Sequence, residues 1–232
     1  MQEMTTTFDA MPLGMYCRIL DVLEDEGRDD LMTQVGLIAA LCRCSEQEIL
    51  DLPVPEFSAR AHALGFLESP PPGDVPDAVP DRITLNGHDY EVHADPMEVN
   101  TAQYVDYQTY VQQGRAGWAG IVSLLLIPPG KAYGHSGPGD PLAYDAAQVR
   151  ADISDHMPVA QANGLSAFFL ERHLRLTRSS LTSLSEEVRR MPEGKARTEA
   201  ARQLERAWQA LASLPRTMGL SRPSDGSTPS SR

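Results

Sequence analysis

The chain has 232 residues, 41% of them hydrophobic and 6% aromatic, and a formal net charge of −12 at pH 7. This length suits one domain or one and a half. Residues 1–100 hold 20 acids and 5 bases, whereas residues 101–232 hold 12 acids and 15 bases. The acidic front half should repel nucleic acid, and the basic tail could favour an acidic partner, although two solvated surfaces of opposite sign are the simpler interpretation.

The cysteine content predicts a reducing environment. Cys17, Cys42 and Cys44 are odd in number, and two of them are separated by a single residue, which is untypical of a disulfide framework. The sequence shows neither a cationic and apolar leader nor a transmembrane span. We therefore expect a protein of the cytosol that does not enter a membrane.

Four short helices are predicted in residues 1–69, the N-terminal acidic subdomain. The first runs from Pro12 to about Glu24, and the second starts at Asp29 or Asp30. A capping box at Ser45–Glu48 starts the third, and the fourth covers about residues 55–67. The residues expected to face inward on the first two helices are Met15, Tyr16, Ile19, Leu20, Leu23, Leu31, Val35, Ile38 and Leu41 or Cys42.

A proline-rich linker is predicted at residues 70–82, because its prolines keep the backbone extended. A β-hairpin follows at residues 83–92, where Asn86-Gly87 separates two alternating segments. In this register Ile83 faces Tyr90 and Leu85 faces His88. Two strands alone are marginally stable, so the apolar side of the hairpin should lie on helices.

The most apolar run, residues 118–127, predicts a buried central helix. It is too short to cross a bilayer, and its length favours a helix over a strand. Before it, Asn100 can cap a helix whose inward face is expected to hold Tyr104, Tyr107 or Gln108, and Val111. After it come a glycine-rich loop at 130–142, a helix at 144–157 and another beginning at Pro158.

A long basic helix is predicted at about residues 184–214, broken near Pro192-Glu193-Gly194, with a narrow apolar stripe of Leu204, Trp208 and Leu211. The fold class is therefore mainly α: a multi-helix globular protein with one small β-hairpin, a long C-terminal basic helix and a disordered tail. The expected division is 1–69, linker 70–82, core domain 83–180, basic extension 181–214 and tail 215–232.

Two segments resemble a nucleotide-binding and a catalytic motif, but the spacing of their residues does not match either motif. Gly130-Lys131 follows an apolar run, but Leu125 and Ala132 occupy positions where a phosphate-binding loop needs glycine and Ser or Thr. In residues 134–138, Pro138 stands where a nucleophile elbow needs its last glycine. Loop residues are the better interpretation in both places, and we predict no catalytic residue, no bound cofactor and no enzymatic activity.

Metal and nucleic-acid sites are also disfavoured. The six histidines lack the spacing of a zinc protease, and Cys42-Arg43-Cys44 lacks the two-residue gap of zinc knuckles. The acids of residues 24–30 lack the ligand spacing of a calcium loop. The arginines after Glu171 could touch phosphate, but few aromatic residues accompany them, so an exposed helix that docks on a protein is more economical.

Five stretches together resemble the bacteriophage tail assembly chaperones and related virion morphogenesis proteins. They are the capped helix Ser45-x-x-Glu48-Ile49-Leu50-x-Leu52-Pro53, the hairpin at 83–92, the helix start Gln103-Tyr104-Val105-Asp106, the segment 126–133 and the segment 164–170. The resemblance covers most of residues 12–176 and stops before the basic helix.

The resemblance implies a non-enzymatic role in the host cytoplasm: holding another virion protein, such as the long tape-measure protein, soluble during tail assembly. We predict a client surface that includes Trp118 or the neighbourhood of Phe168 and Phe169. A structural virion or connector protein, and an enzyme or regulator, remain alternatives. The oligomeric state stays open.

Overall fold

The computed structural model describes residues 3–71, 76, 78–95, 97–137 and 139–217, with only the backbone of 208 and 210–217. The described residues are mainly helical, as predicted. The helices are α1 (Leu13–Glu24), α2 (Asp30–Cys42), α3 (Glu46–Leu50), α4 (Val54–Ala63), α5 (Thr101–Gln112), α6 (Trp118–Ser123), α7 (Ala146–His156), α8 (Val159–Arg190) and α9 (Lys195–Thr217). The strands are β1 (Arg82–Leu85), β2 (His88–Val92) and β3 (Leu126–Ile127), and none of the described helices is long and apolar enough to span a membrane.

The predicted caps of the first helices are confirmed. The Asp29 carboxylate accepts a hydrogen bond from the Met32 amide over 2.8 Å and so begins α2. Ser45 and Glu48 form the reciprocal capping box that begins α3. Both caps satisfy backbone donors that the first helical turn leaves free. Local side-chain chemistry therefore fixes where these helices start.

Two of the inward positions predicted on α1 and α2 are wrong. Leu23 and Leu31 are 51% and 55% exposed. Leu23 lies in the last turn of α1 and Leu31 in the first turn of α2, on either side of the acidic turn between them. Farther from this turn, the burial that the periodicity predicts is confirmed at Ile19 of α1 and Ile38 of α2, which are fully buried.

The hairpin forms in the predicted register, with Ile83 opposite Tyr90 and Leu85 opposite His88. Asn86 and Gly87 have φ angles of 50° and 78°, the left-handed pair that a two-residue hairpin turn needs. Ile83, Leu85 and Tyr90 are all buried, so one face of the hairpin packs on the protein as expected. A third strand, β3, which the sequence did not predict, pairs antiparallel with β2.

The apolar run at 118–127 is buried, but the prediction of one continuous helix is wrong. Helix α6 ends at Ser123, and the chain turns through Leu124 and Leu125 into β3. Glu91 and Val92 of β2 lie opposite Ile127 and Leu126, and the His93 amide donates to the Leu125 carbonyl over 2.8 Å. The edge of β2 offers backbone partners that periodicity cannot reveal, and these draw the end of the run into the sheet.

The hydrophobic core crosses the segment predicted as a linker. Its larger cluster combines residues of α1 and α2 with residues of the sheet and of α6, α7 and α8. Backbone bonds tie the same parts together, since Leu13 N donates to Met157 O and Val159 N donates to Met11 O. Of the predicted linker, residues 72–75 and 77 lie outside the described part.

Helices α8 and α9 form a helical arm, defined here as residues 171–217. Helix α8 has 32 residues and is about 48 Å long. Its side chains are mostly buried up to Leu170, and beyond that point Leu181 is the buried residue on the described part of α8. The predicted break before Lys195 is confirmed, and α8 runs without interruption through the expected boundary at 180/181 to Arg190.

The arm packs as an antiparallel helix pair. Leu181 is buried on α8, and Leu204 of α9, from the predicted apolar stripe, is half-buried. The side chains of the other stripe residues, Trp208 and Leu211, lie outside the described part, as do residues 218–232 of the predicted tail.

Candidate binding site

An open apolar pocket lies between the start of α5, the segment joining α6 to β3, and the first half of α8. Its volume is about 260 Å³. The described residues that line it include no acid, lysine, arginine or cysteine. They are Val99, Asn100, Thr101, Gln103, Tyr104, Tyr107, Leu124, Leu125, Phe169 and His173.

Gln103 fixes one wall of this pocket. Its side-chain oxygen accepts from the Asn100 amide, and the Asn100 side chain accepts from the Gln103 amide, both over 2.9 Å. This reciprocal pair is the predicted capping box of α5. The Gln103 Nε2 then donates to the Leu124 carbonyl over 3.0 Å. The Oε1 atom of this buried side chain therefore caps α5, and its Nε2 atom holds α5 against the end of α6.

Aromatic rings form the opposite wall. The Phe169 and His173 rings stack with centroids 6.2 Å apart and planes 16° apart, and Tyr107 contacts both of them. Burial lowers the pKa of the His173 imidazole below its ordinary value. His173 is therefore uncharged at neutral pH, and this wall presents an aromatic surface without charge.

One large side chain is exposed at the rim of the pocket. Tyr104, expected to face inward, is 51% exposed and lines the pocket from the rim, because Gln103 and Tyr107 take the buried side of α5. Val105 and Met97, 56% and 74% exposed, are near it in the sequence but do not line the pocket. An exposed aromatic side chain at an apolar concavity is typical of a protein interaction site.

The three predicted client-binding residues are not all in one place. Phe169 lines the pocket. Phe168 is half-buried beside the Arg172 guanidinium, 4.9 Å from its ring, and points about 100° away from Phe169 around the helix. Trp118 is half-buried, and its Nε1 donates to Ser166 Oγ over 3.2 Å. Client contact at any of the three stays a prediction.

A second polar cluster surrounds the buried Asp152 carboxylate, which is 1% exposed. It accepts from Tyr90 OH at 2.6 Å, His88 Nδ1 at 2.7 Å, Gln148 Nε2 at 2.9 Å and Asn86 Nδ2 at 3.3 Å. Burial acts to raise the pKa of this carboxyl, but the four hydrogen bonds outweigh burial and lower it to about 2. Asp152 is therefore charged at neutral pH.

This cluster joins the hairpin to α7. A carboxylate that orients a histidine also occurs in general-base sites, and the His88 side chain is 55% exposed. Here, however, the carboxylate is shared among donors from two elements, which is the pattern of a structural clamp. Asp152 was not among the residues selected from the sequence, although it lies three residues after the buried Val149 on α7.

The remaining histidines with acidic neighbours are dispersed. His135 Nδ1 lies 3.0 Å from Asp140 in the glycine-rich loop, and His93 lies 3.9 Å from each of Glu91 and Glu98. Within the described ranges, no three His, Cys, Asp or Glu side chains are grouped as a metal site requires. Of the two cysteines of the Cys42-Arg43-Cys44 segment, Cys42 is buried and Cys44 is half-buried.

Comparison of the chain with protein-family models, with curated proteins and with solved structures found no match.

Proposed function

We propose that this chain is a non-enzymatic assembly factor that binds an apolar segment of a client protein in the pocket between α5 and α8. The observation that carries the proposal is an apolar pocket whose rim exposes Tyr104 while the polar atoms of Gln103 are engaged in holding the wall together. Such a surface can bind apolar side chains and has little to offer to a reaction.

The pocket has room for a side-chain anchor, with a volume of about 260 Å³. Protein interfaces often concentrate their binding energy in one or two apolar or aromatic anchors that fill such a cavity. An amphipathic client helix would present an anchor of this kind.

The polar groups of the pocket support binding rather than catalysis. General acid–base chemistry needs a group with a pKa near the working pH and a positioned partner. His173 is the titratable imidazole of the wall, and its charged form is disfavoured by burial. The carboxylate that does accept from a histidine, Asp152, belongs to the clamp between the hairpin and α7.

The sequence resemblance suggests who the client is. A tail assembly chaperone must expose apolar surface to a long helical protein while itself remaining soluble in the host cytoplasm. A net charge of −12 favours solubility. We therefore propose a phage structural protein as the client, with the tape-measure protein as the first candidate.

Co-expression with a tape-measure protein, taken from any long helical reading frame found beside this gene, tests the proposal. The wild-type chain should keep that protein soluble and copurify with it. Tyr104→Asp places a charge on the rim and should reduce copurification at least about tenfold, because burying an unpaired carboxylate is costly. Val54→Asp is the matched control, since Val54 is 79% exposed on α4 and does not line the pocket.

Equal loss in both variants, or in neither, would contradict the proposed site. Purified virions separate the chaperone from the structural-protein alternative. A chaperone is absent from mature particles, whereas a connector component remains in them at a fixed stoichiometry.

A further inference from the structure

The two rings on the α8 side of the pocket form one flat aromatic strip. Phe169 and His173 are one helical turn apart, and their rings are stacked with planes 16° apart. Tyr107 of α5 meets both rings, at 61° to Phe169 and at 47° to His173. Leu124 and Leu125, which are 5% and 1% exposed, line the pocket from the segment that joins α6 to β3. An occupant therefore meets aromatic rings on two sides and aliphatic groups on a third.

The pocket has room for a side chain with two fused rings. An enclosed cavity of about 150 Å³ in another protein binds benzene, and this pocket has a volume of about 260 Å³. Aromatic rings attract one another in offset-stacked or edge-to-face arrangements with centroids about 4.5–7 Å apart. Tyr104, 51% exposed at the rim, adds one more ring that an entering side chain can contact. The lining therefore favours a planar aromatic group over a branched aliphatic one.

His173 gives the pocket a polar ring whose nitrogens have no hydrogen-bond partner among the described residues. Burial keeps the pKa of this imidazole below its ordinary value, so at neutral pH one nitrogen donates and the other accepts. The other amides of the lining are engaged. Gln103 bonds to Asn100 and to the Leu124 carbonyl, and the Asn100 Nδ2 donates to the Tyr133 carbonyl. The imidazole can therefore accept a hydrogen bond from an occupant.

An indole ring matches both properties of this pocket. It is the largest aromatic side chain, and its ring nitrogen is a donor and never an acceptor. A phenyl ring has no donor and would leave the imidazole unpaired on burial, which weakens binding. A tyrosine hydroxyl also donates, but its single ring covers less of the aromatic lining. Tryptophan is also enriched among the residues that anchor protein interfaces.

We propose that this pocket selects the indole ring of a client tryptophan, whose Nε1 donates to the imidazole of His173 while its faces pack on the aromatic lining. The inference rests on the proposed function, because it names the side chain with which a client fills the site. The described lining residues include no acid, lysine or arginine. This favours a tryptophan within a polypeptide, whose backbone amides are uncharged, over the free amino acid, which carries two charges.

Titration of the full chain with N-acetyl-tryptophan amide, followed by nuclear magnetic resonance, tests the assignment without a client. The probe should shift the signals of the His173 ring and of the Leu124 and Leu125 methyl groups. The matched probe is N-acetyl-benzothienylalanine amide, which keeps two fused rings but has sulfur in place of the N–H group. It should bind about three- to tenfold more weakly, because a single hydrogen bond contributes a net factor of that order.

His173→Phe keeps an aromatic ring in the strip and removes its nitrogens. This variant should bind both probes equally, with about the affinity that the wild type has for the benzothienyl probe. His62→Phe is the control, because His62 is exposed on α4 and does not line the pocket, and it should keep the wild-type preference. A preference unchanged in His173→Phe, or lost equally in the control, would overturn the role of His173. The comparison of the two probes on the wild type does not depend on the folding of either variant.

The outcomes distinguish this inference from the proposed function. The indole assignment is overturned if the wild type binds neither probe, binds both equally or shows shifts only outside the pocket, even where a client copurifies. Tighter binding of N-acetyl-tyrosine amide would also overturn it. Tighter binding of free tryptophan than of its amide would make the occupant a metabolite, against a client side chain. The expected preference for the N–H probe without client capture would support the chemistry of the pocket and contradict the proposed function.

Discussion

The Tyr90 hydroxyl donates to the Asp152 carboxylate over 2.6 Å, and both side chains are at least 98% buried. Tyr90 is the central residue of the hairpin's buried face, and Asp152 lies on α7 between residues that face the core. Burial and this hydrogen bond raise the pKa of Tyr90 above its ordinary value, so the hydroxyl keeps its proton and remains a donor. The pair anchors the small sheet to the helical body.

Asp152→Asn should destabilise the protein by about 3 kcal/mol, because it replaces a buried charge that four donors were arranged to meet. The amide leaves at least one of these donors facing another donor. Urea unfolding followed by circular dichroism measures the change. Asp155→Asn is the control on the same helix, exposed, and should alter the free energy of unfolding by less than about 0.5 kcal/mol. Similar losses in the two variants would contradict the clamp.

The same carboxylate predicts a dependence of stability on acid. Its folded pKa of about 2 lies below the ordinary value of about 3.9. The unfolded chain therefore takes up the proton first as the pH falls. The stabilisation by Asp152 is full above about pH 5 and is lost as the pH falls through about 4 towards 2.

Unfolding of the wild type and of Asp152→Asn across pH 2–7 tests this dependence. The difference between their free energies of unfolding should be constant near neutrality and shrink in acid. A difference that stays constant down to pH 2 would show that this carboxyl is not specially stabilised in its charged form.

Gly117 is required by a close approach of two backbone segments. A Cβ atom there would lie only 2.0 Å from the Tyr110 carbonyl oxygen, which belongs to the backbone of α5. Gly117→Ala should therefore cost about 2–3 kcal/mol, because α5 must move away from the start of α6. Gly65→Ala is the control, since no atom lies within 4 Å of its added Cβ. Thermal unfolding measures both, and equal melting temperatures would contradict the packing.

The half-buried imidazole of His173 predicts a pH dependence of client binding. Its lowered pKa keeps the ring neutral at pH 7 and above, so affinity should not change between pH 8 and pH 7. In acid below its pKa, protonation places a charge against Phe169 and Tyr107, and affinity should fall. His173→Gln should remove this acid dependence. Titration calorimetry between pH 5 and 8 with the copurified client fragment measures this affinity. If the affinity of the variant falls in acid as much as that of the wild type, a group other than His173 causes the pH dependence.

Features fixed by neighbouring residues could be predicted from the sequence. Asn86-Gly87 gives the hairpin and its register, and Asn100 with Gln103 gives the start of α5, because turns and caps are short-range chemistry. Leu126 and Ile127 could not be assigned, because their strand exists only where β2 supplies a backbone partner. Whether the end of this short apolar run forms a helix or a strand therefore depends on a contact with residues far away in the sequence.

In the candidate site, too, the features that depend on distant contacts could not be predicted from the sequence. Phe169 was selected for its apolar surroundings and does line the pocket, whereas Phe168, next to it, points elsewhere. Tyr104 and His173 come from elements about 70 residues apart, and only the packing of α5 against α8 brings them to one cavity. Asp152 was missed because its importance depends on donors some 60 residues away.

Hydrogen exchange on the copurified complex tests the central claim most directly. Client binding should slow amide exchange at the start of α5 and around residues 169–176 of α8, while the hairpin and α2 exchange as in the free protein. Protection confined to other elements, with the pocket segments unchanged, would contradict the assignment of this cavity as the client-binding site.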